Sequence, residues 1–229
     1  MKYYILEDST GDEIGNTYPQ TDGMSNNYKF KKIDSVSNLP ILKAPKVIPD
    51  LNSVMLGKGS NLTDIVSSAL FNSYSFLVNS KLKALMTKFN LPKHAFFEAT
   101  LLKYGSDVKE NYFLFHLQES HSTFIDFTKS SFSTLRIPPW ELPNWDYEKT
   151  PIEINSHDDL VIKDKELESF KNIVPDRLKL VDNFDHNLDL FTLRYLYGKI
   201  LISERLKEAL EINKISGFQI TKPSYEISI

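Results

Sequence analysis

The sequence predicts an α+β protein with mixed or mostly antiparallel sheets, a few amphipathic helices and two similar halves. Three observations lead there. Short aromatic and branched runs with a period of two alternate with stretches of helical period. Turn residues separate them at short intervals. One pattern also occurs twice: Phe76-Leu77-Val78-Asn79-Ser80-Lys81-Leu82-Lys83 is echoed by Ile200-Leu201-Ile202-Ser203-Glu204-Arg205-Leu206-Lys207 at a constant offset of 124 residues. In each copy an apolar triplet meets a small polar residue and an amphipathic segment follows. That is the pattern of a strand feeding a capped helix.

The elements follow in chain order. Lys2 to Leu6 is aromatic and branched, hence a strand, and Asp8 to Gly15 supplies turn residues. Asn27 to Ile33 sets Tyr28 and Phe30 against Lys29 and Lys31, which predicts a half-buried strand. Pro40, Pro45 and Pro49 each remove a backbone donor, so Leu39 to Asp50 reads as an extended crossing segment. Asn61 to Tyr74 is ambiguous, with Ile65, Val66, Ala69 and Leu70 able to line a helical face. Phe76 to Val78 is a buried strand, and Asn79 or Ser80 caps a helix with the stripe Leu82, Leu85, Met86 and Phe89. Ala95 to Tyr104 and Tyr112 to Leu117 form a hairpin around Gly105-Ser106-Asp107. Thr123 to Phe127 is a further strand candidate.

In the remainder, Pro151 to Ile154 reads as an edge strand. Asp164 is expected to cap a helix carrying Leu167, Phe170 and Val174, ended by Pro175. Asp189 to Tyr195 and Ile200 to Ile202 are strands. Ser203 caps a helix with Leu206, Ala209 and Leu210 buried, Gly217 suits a left-handed turn, and Phe218 to Thr221 returns as a strand. Arg136 to Pro151 holds four prolines and both tryptophans, which places the boundary between halves there. The expected division is 1–135, a connecting segment 136–151, and 152–229.

A chain of 229 residues with 41% hydrophobic and 25% charged is long enough for one large or two modest cored domains. Its net charge of -3 offers no bulk attraction to phosphate backbones, and no long Lys/Arg run supplies a local one. No nucleic acid partner is expected. Without cysteine, disulfides, thiolate metal sites and a cysteine nucleophile are excluded. Glu7 and Asp8 stand where a signal peptide needs apolar residues, and no stretch is apolar enough for a membrane span. A cytoplasmic protein without a membrane partner is expected.

Motifs for chemistry are sparse. His157-Asp158-Asp159 and Asp182 to His186 are the densest polar clusters. Solvated turns account for them, and a metal-dependent hydrolase using His157, Asp158, Asp159 and His186 is the enzymatic alternative. His116 and His121 have Ser120, Ser122, Ser130 and Ser131 nearby, but none sits in a nucleophile elbow. Gly57-Lys58-Gly59-Ser60 lacks the full spacing of a phosphate loop and reads as a turn. No cofactor or metal is expected, and no catalytic residue is assigned. Trp140, Glu141, Trp145, Asp146 and Tyr147 form the best partner-binding candidate, because Trp and Tyr carry interface energy. The competing reading is an aromatic clasp over the core.

Ile200 to Leu210, followed by Ile215-Ser216-Gly217-Phe218, resembles the C-terminal end of a bacterial immunity-protein family. That family was first described as a domain of unknown function and is linked to polymorphic toxins. Lys2-Tyr3-Tyr4-Ile5-Leu6 and Tyr18-Pro19-Gln20 are similar to such chains as well. The earlier copy departs from the pattern, with Asn79-Ser80-Lys81-Leu82 where Ser-Glu-Arg-Leu is expected. The resemblance implies a cytoplasmic inhibitor that binds a cognate toxin encoded nearby, needing no catalytic residues. A self-associating structural or regulatory module is a further alternative.

Overall fold

A computed structural model describes residues 2–106, 108–136, 148–196 and 200–228. Its strands are β1 Tyr3–Asp8, β2 Thr21–Met24, β3 Val54–Leu56, β4 Ile65–Val66, β5 Ser75–Val78, β6 His94–Leu102, β7 Lys109–Leu117, β8 Ser131–Arg136, β9 Lys149–Ile152, β10 Lys171–Lys179, β11 Leu190–Thr192, β12 Ile200–Ser203, β13 Phe218–Thr221 and β14 Glu226–Ser228. The helices are α1 Ser80–Met86, α2 His157–Glu166 and α3 Glu204–Ile212. The strands form three sheets, ordered β11-β12-β1-β13, β2-β3-β6-β7-β5-β4 and β14-β10-β8-β9. Pairing is antiparallel except between β3 and β6 and between β10 and β14. The fold is α+β. No helix among the described residues is long and apolar enough to cross a membrane.

The repeated sequence pattern is a repeated structure. Asn79 and Ser203 both cap their helices, accepting from the amides of Leu82 at 3.0 Å and Leu206 at 3.1 Å. The repeat reaches further than the sequence pattern. The order β4-β5-β7-β6 in one sheet matches β11-β12-β1-β13 in the other. Registers agree: Val78 faces Ile65 and Phe113, while Ile202 faces Leu190 and Tyr4. Unit one is therefore β4-β5-α1-β6-β7, contiguous in the chain. Unit two is β11-β12-α3-β13 completed by β1, so its fourth strand comes from the opposite end of the sequence. Strands from both sides of 136–151 share sheets, β1 with β12 and β8 with β10, so that segment does not separate the two units.

Period-two patterning buries both faces of each unit. The inward faces meet in one core: Leu82, Leu85 and Met86 of α1 and Leu206 and Leu210 of α3, with Val78, Phe115, Ile202 and Leu6. The outward faces have different covers. On unit two, Tyr3, Ile5, Phe191 and Leu201 pack with Leu160 of α2 and with Ile173 and Leu178 of β10. On unit one, Leu77, Leu101, Tyr112 and Leu114 pack with Val36 and Leu51 from an irregular arm.

Several expectations need correction. Residues 27–33 are turns, not a strand: Phe30 is exposed, and Tyr28 spends its hydroxyl bracing the arm. Asn61 to Tyr74 contributes the short β4, not a helix. Residues 123–127 give a 3-10 turn, Ser122–Phe124, and an isolated bridge from Ile125 to Leu180. The predicted helix from Asp164 is displaced: α2 starts earlier, capped by Ser156, and β10 follows. Pro175 is tolerated in that strand because it sits at a bulge against β8, where β14 does not reach.

Candidate binding surface

Most of the polar residues singled out from sequence are engaged in structure. Asp159 belongs to a reciprocal cap: its amide donates to Ser156 Oγ at 3.1 Å, and its carboxylate accepts from the Asn155 amide at 2.9 Å. Lys163 adds an ion pair at 3.3 Å. Asp158 is fully solvated beside His157, and His186 packs against Phe184. Among the described residues no three His, Asp or Glu side chains converge as metal ligands. Ser120 and Ser122 bond to each other, Ser122 donates to the Arg194 carbonyl and Ser130 to the Lys179 carbonyl, and among the described residues none of the three bonds a histidine. Gly57 to Ser60 is a turn latched to residues 14–20, with Thr17 donating to the Lys58 carbonyl at 2.6 Å. Trp140, Glu141, Trp145, Asp146 and Tyr147 lie outside the described residues.

His116 does have a serine partner, though one that is distant in sequence. Ser75 Oγ lies 2.9 Å from its Nδ1, and its Nε2 lies 2.8 Å from the Lys43 carbonyl oxygen. The ring is fully buried, and burial holds its pKa below the ordinary histidine value. The neutral tautomer satisfies both contacts: Nε2–H donates to Lys43 and Nδ1 accepts the Ser75 hydroxyl. The far nitrogen faces a backbone carbonyl and not a carboxylate. His116 acts as a tie between the core and the arm.

A polar pit lies where β1 ends. It has a volume of about 400 Å³ and is lined by Asp8, Tyr18, Ser75, Phe76 and Asn172 among others. Burial, then the neighbouring Glu7 charge, pushes the Asp8 carboxyl up to about 6. Its Oδ1 is buried without a hydrogen-bond partner.

The arm, residues 25–51, is the more informative surface. Its conformation is fixed from beneath. Val36 and Leu42 are buried anchors in two different cores. The Tyr28 hydroxyl accepts from the Val36 amide at 2.8 Å and donates to the Asp50 carbonyl at 3.1 Å. The Asp50 amide donates to the Asp34 carbonyl at 2.7 Å. Several apolar side chains of the arm are open to solvent: Ile33 is 76% exposed and Ile48 73%, with Phe30, Ile41 and Val47 also exposed. Between Ile33 and Pro49 runs a groove of about 430 Å³ walled by Leu39, Pro40, Pro45 and Val47, with Lys43 and Lys46 at its rim. The three prolines read from sequence as stiffeners of a crossing segment form this groove. The sequence reading missed its exposure, because the run of apolar residues and prolines does not say which side faces the body.

No protein-family model matches the chain, and no curated protein matches it.

Proposed function

We propose that the protein acts by binding another protein and not by turnover, as an immunity protein that neutralises a cognate bacterial toxin in the cytoplasm. The supporting observation is the arm: five large apolar side chains held exposed on a braced, proline-stiffened backbone. Exposed apolar groups bordering a groove, as Ile33 and Val47 do, mark interaction sites, and bracing them beforehand lowers the ordering cost of association. The sequence likeness at Ile200 to Phe218 to an immunity-protein family supports a toxin as that partner. The residues carrying that likeness are scaffold, since Ser203, Leu206 and Leu210 cap and pack α3.

The test is co-expression with the product of the neighbouring gene in a sensitive bacterial host. Growth rescue together with a stable purified complex is expected. Unchanged killing at matched expression would refute the reading.

A further inference from the structure

This inference rests on the binding reading and names the chemistry of the surface bound. We infer that the groove between Ile33 and Pro49 receives an apolar side chain projecting from an acidic face of the partner protein. Two independent features of the arm fit together here. The first is shape: the groove is concave and walled by prolines and aliphatic side chains, so it fits a side chain and not a flat sheet of lipid. The second is charge. The arm, residues 25–51, contains Lys29, Lys31, Lys32, Lys43 and Lys46 against Asp34 and Asp50, in a chain whose overall charge is -3. All five lysines are exposed. The remaining residues together hold 22 Lys/Arg against 28 Asp/Glu, so the arm is the basic part of an otherwise acidic chain. Such a pattern steers and orients encounter while the apolar contact supplies the lasting attraction.

A protein partner is favoured over nucleic acid. The positive groups of the arm are lysines without an arginine among them, and Lys43 and Lys46 border the apolar slot. Single exposed residues such as Ile33 and Val47 can be altered without touching the core.

The probe is a short Glu/Asp peptide with one central leucine, titrated into the intact protein and followed by NMR. Shifts confined to the neighbourhood of Ile33, Lys43 and Val47 are expected. Replacing the leucine by glycine is expected to weaken binding about tenfold. Raising salt to about 0.5 M is expected to weaken it further, because exposed charges are screened. Ile33→Asp and Val47→Asp are expected to keep the wild-type melting curve and lose the peptide. Equal binding of the leucine and glycine peptides overturns the slot. So does retention by the charge reversals Lys43→Glu and Lys46→Glu. Binding to phosphatidylserine vesicles or a single-stranded DNA 20-mer that Val47→Asp abolishes, without peptide binding, assigns the arm to another class of partner and overturns the inference. Toxin rescue that survives Ile33→Asp and Val47→Asp removes the groove but leaves the immunity reading. Peptide binding at the groove without rescue does the reverse.

Discussion

Units one and two share a scaffold down to individual polar contacts, and they differ in how each is closed and covered. In unit one, Asp64 precedes the first strand. It accepts from Asn79 Nδ2 at 2.7 Å and pairs with Lys81 at 3.6 Å. In unit two, Asp189 accepts from Ser203 Oγ at 2.7 Å and pairs with Arg205, whose Nε donates at 2.9 Å. Each aspartate then reaches across to the other unit. Asp64 accepts from the Ser216 amide at 2.8 Å in the turn after α3, and Asp189 accepts from the Asn90 amide at 2.9 Å in the turn after α1. The two units are locked by an exchange of aspartates. Even the lysines one turn into the helices correspond: Lys83 lies over Phe113 at 3.6 Å and Lys207 over Tyr4 at 5.3 Å.

The differences show which parts were free to diverge. The exchange is closed by a glycine on one side only. Gly217 has φ +88°, and a Cβ there would overlap the Ile65 carbonyl and the Thr63 side chain. The corresponding turn after α1 carries Leu91, whose φ is not positive. Gly217→Ala is therefore expected to be the most damaging of these changes, costing about 3 kcal/mol or more in urea unfolding. A loss below about 1 kcal/mol would mean that the close approach to unit one is not needed.

The aspartates come next. Asp189 is 2% exposed and Asp64 8%, and Asp189 faces a forked guanidinium where Asp64 faces a half-exposed ammonium. Removing a buried hydrogen-bonded charge costs about 3 kcal/mol, so Asp189→Ala is expected near that value and Asp64→Ala about 1 kcal/mol less. Equal losses would show that the guanidinium adds nothing. Burial alone would raise both carboxyls. The bonds from Arg205, Ser203 and Asn90 outweigh it at Asp189, and those from Asn79, Ser216 and Lys81 do so at Asp64, so both lie below the ordinary carboxylate value. Their contribution is thus fully present above pH ~4 and lost as pH falls through the lowered values. Each alanine variant is expected to lose less of its stability than the wild type on acidification below pH ~4.

The smallest effect has the opposite sign. Asp8 on β1 faces Phe218 as Leu117 on β7 faces His94, so unit two carries a carboxyl where unit one has a buried leucine. With its pKa raised to about 6, the folded state holds that proton more tightly than the unfolded chain does. Its own contribution is therefore greatest below pH ~4 and is lost as pH rises through about 6. Asp8→Asn is expected to stabilise the protein by about 1–2 kcal/mol at pH ~7.5 and by almost nothing at pH ~4. A gain that does not depend on pH would break this account.

The scaffold was legible in the sequence wherever contacts are local. The strand-cap-helix motif, the β6-β7 hairpin and the turn at Gly217 depend on residues a few positions apart, and they stand where the pattern placed them. The aspartate exchange was not legible, because Asp64 and Ser216 lie 152 residues apart and the offsets drift away from that of the helices. Pro175 misled because a bulge excuses it from the ladder, which nothing in its neighbours announces. The Ser75–His116 tie was not legible for the same reason as the exchange: antiparallel pairing of β5 with β7 supplies the hydroxyl from 41 residues away, and no local pattern around His116 marks it.

The borrowed strand has a consequence for assembly during translation. Tyr4 and Glu204, which meet across that strand, are 200 residues apart. Unit one spans an uninterrupted stretch, so all of its strands and its helix are synthesised before β11 is made. Unit two must wait, with its fourth strand made first and seated last, and closing so long a loop slows the step. Until then Tyr3, Ile5 and Leu6 are an unclaimed apolar edge in the nascent chain, a stretch for chaperones to shield.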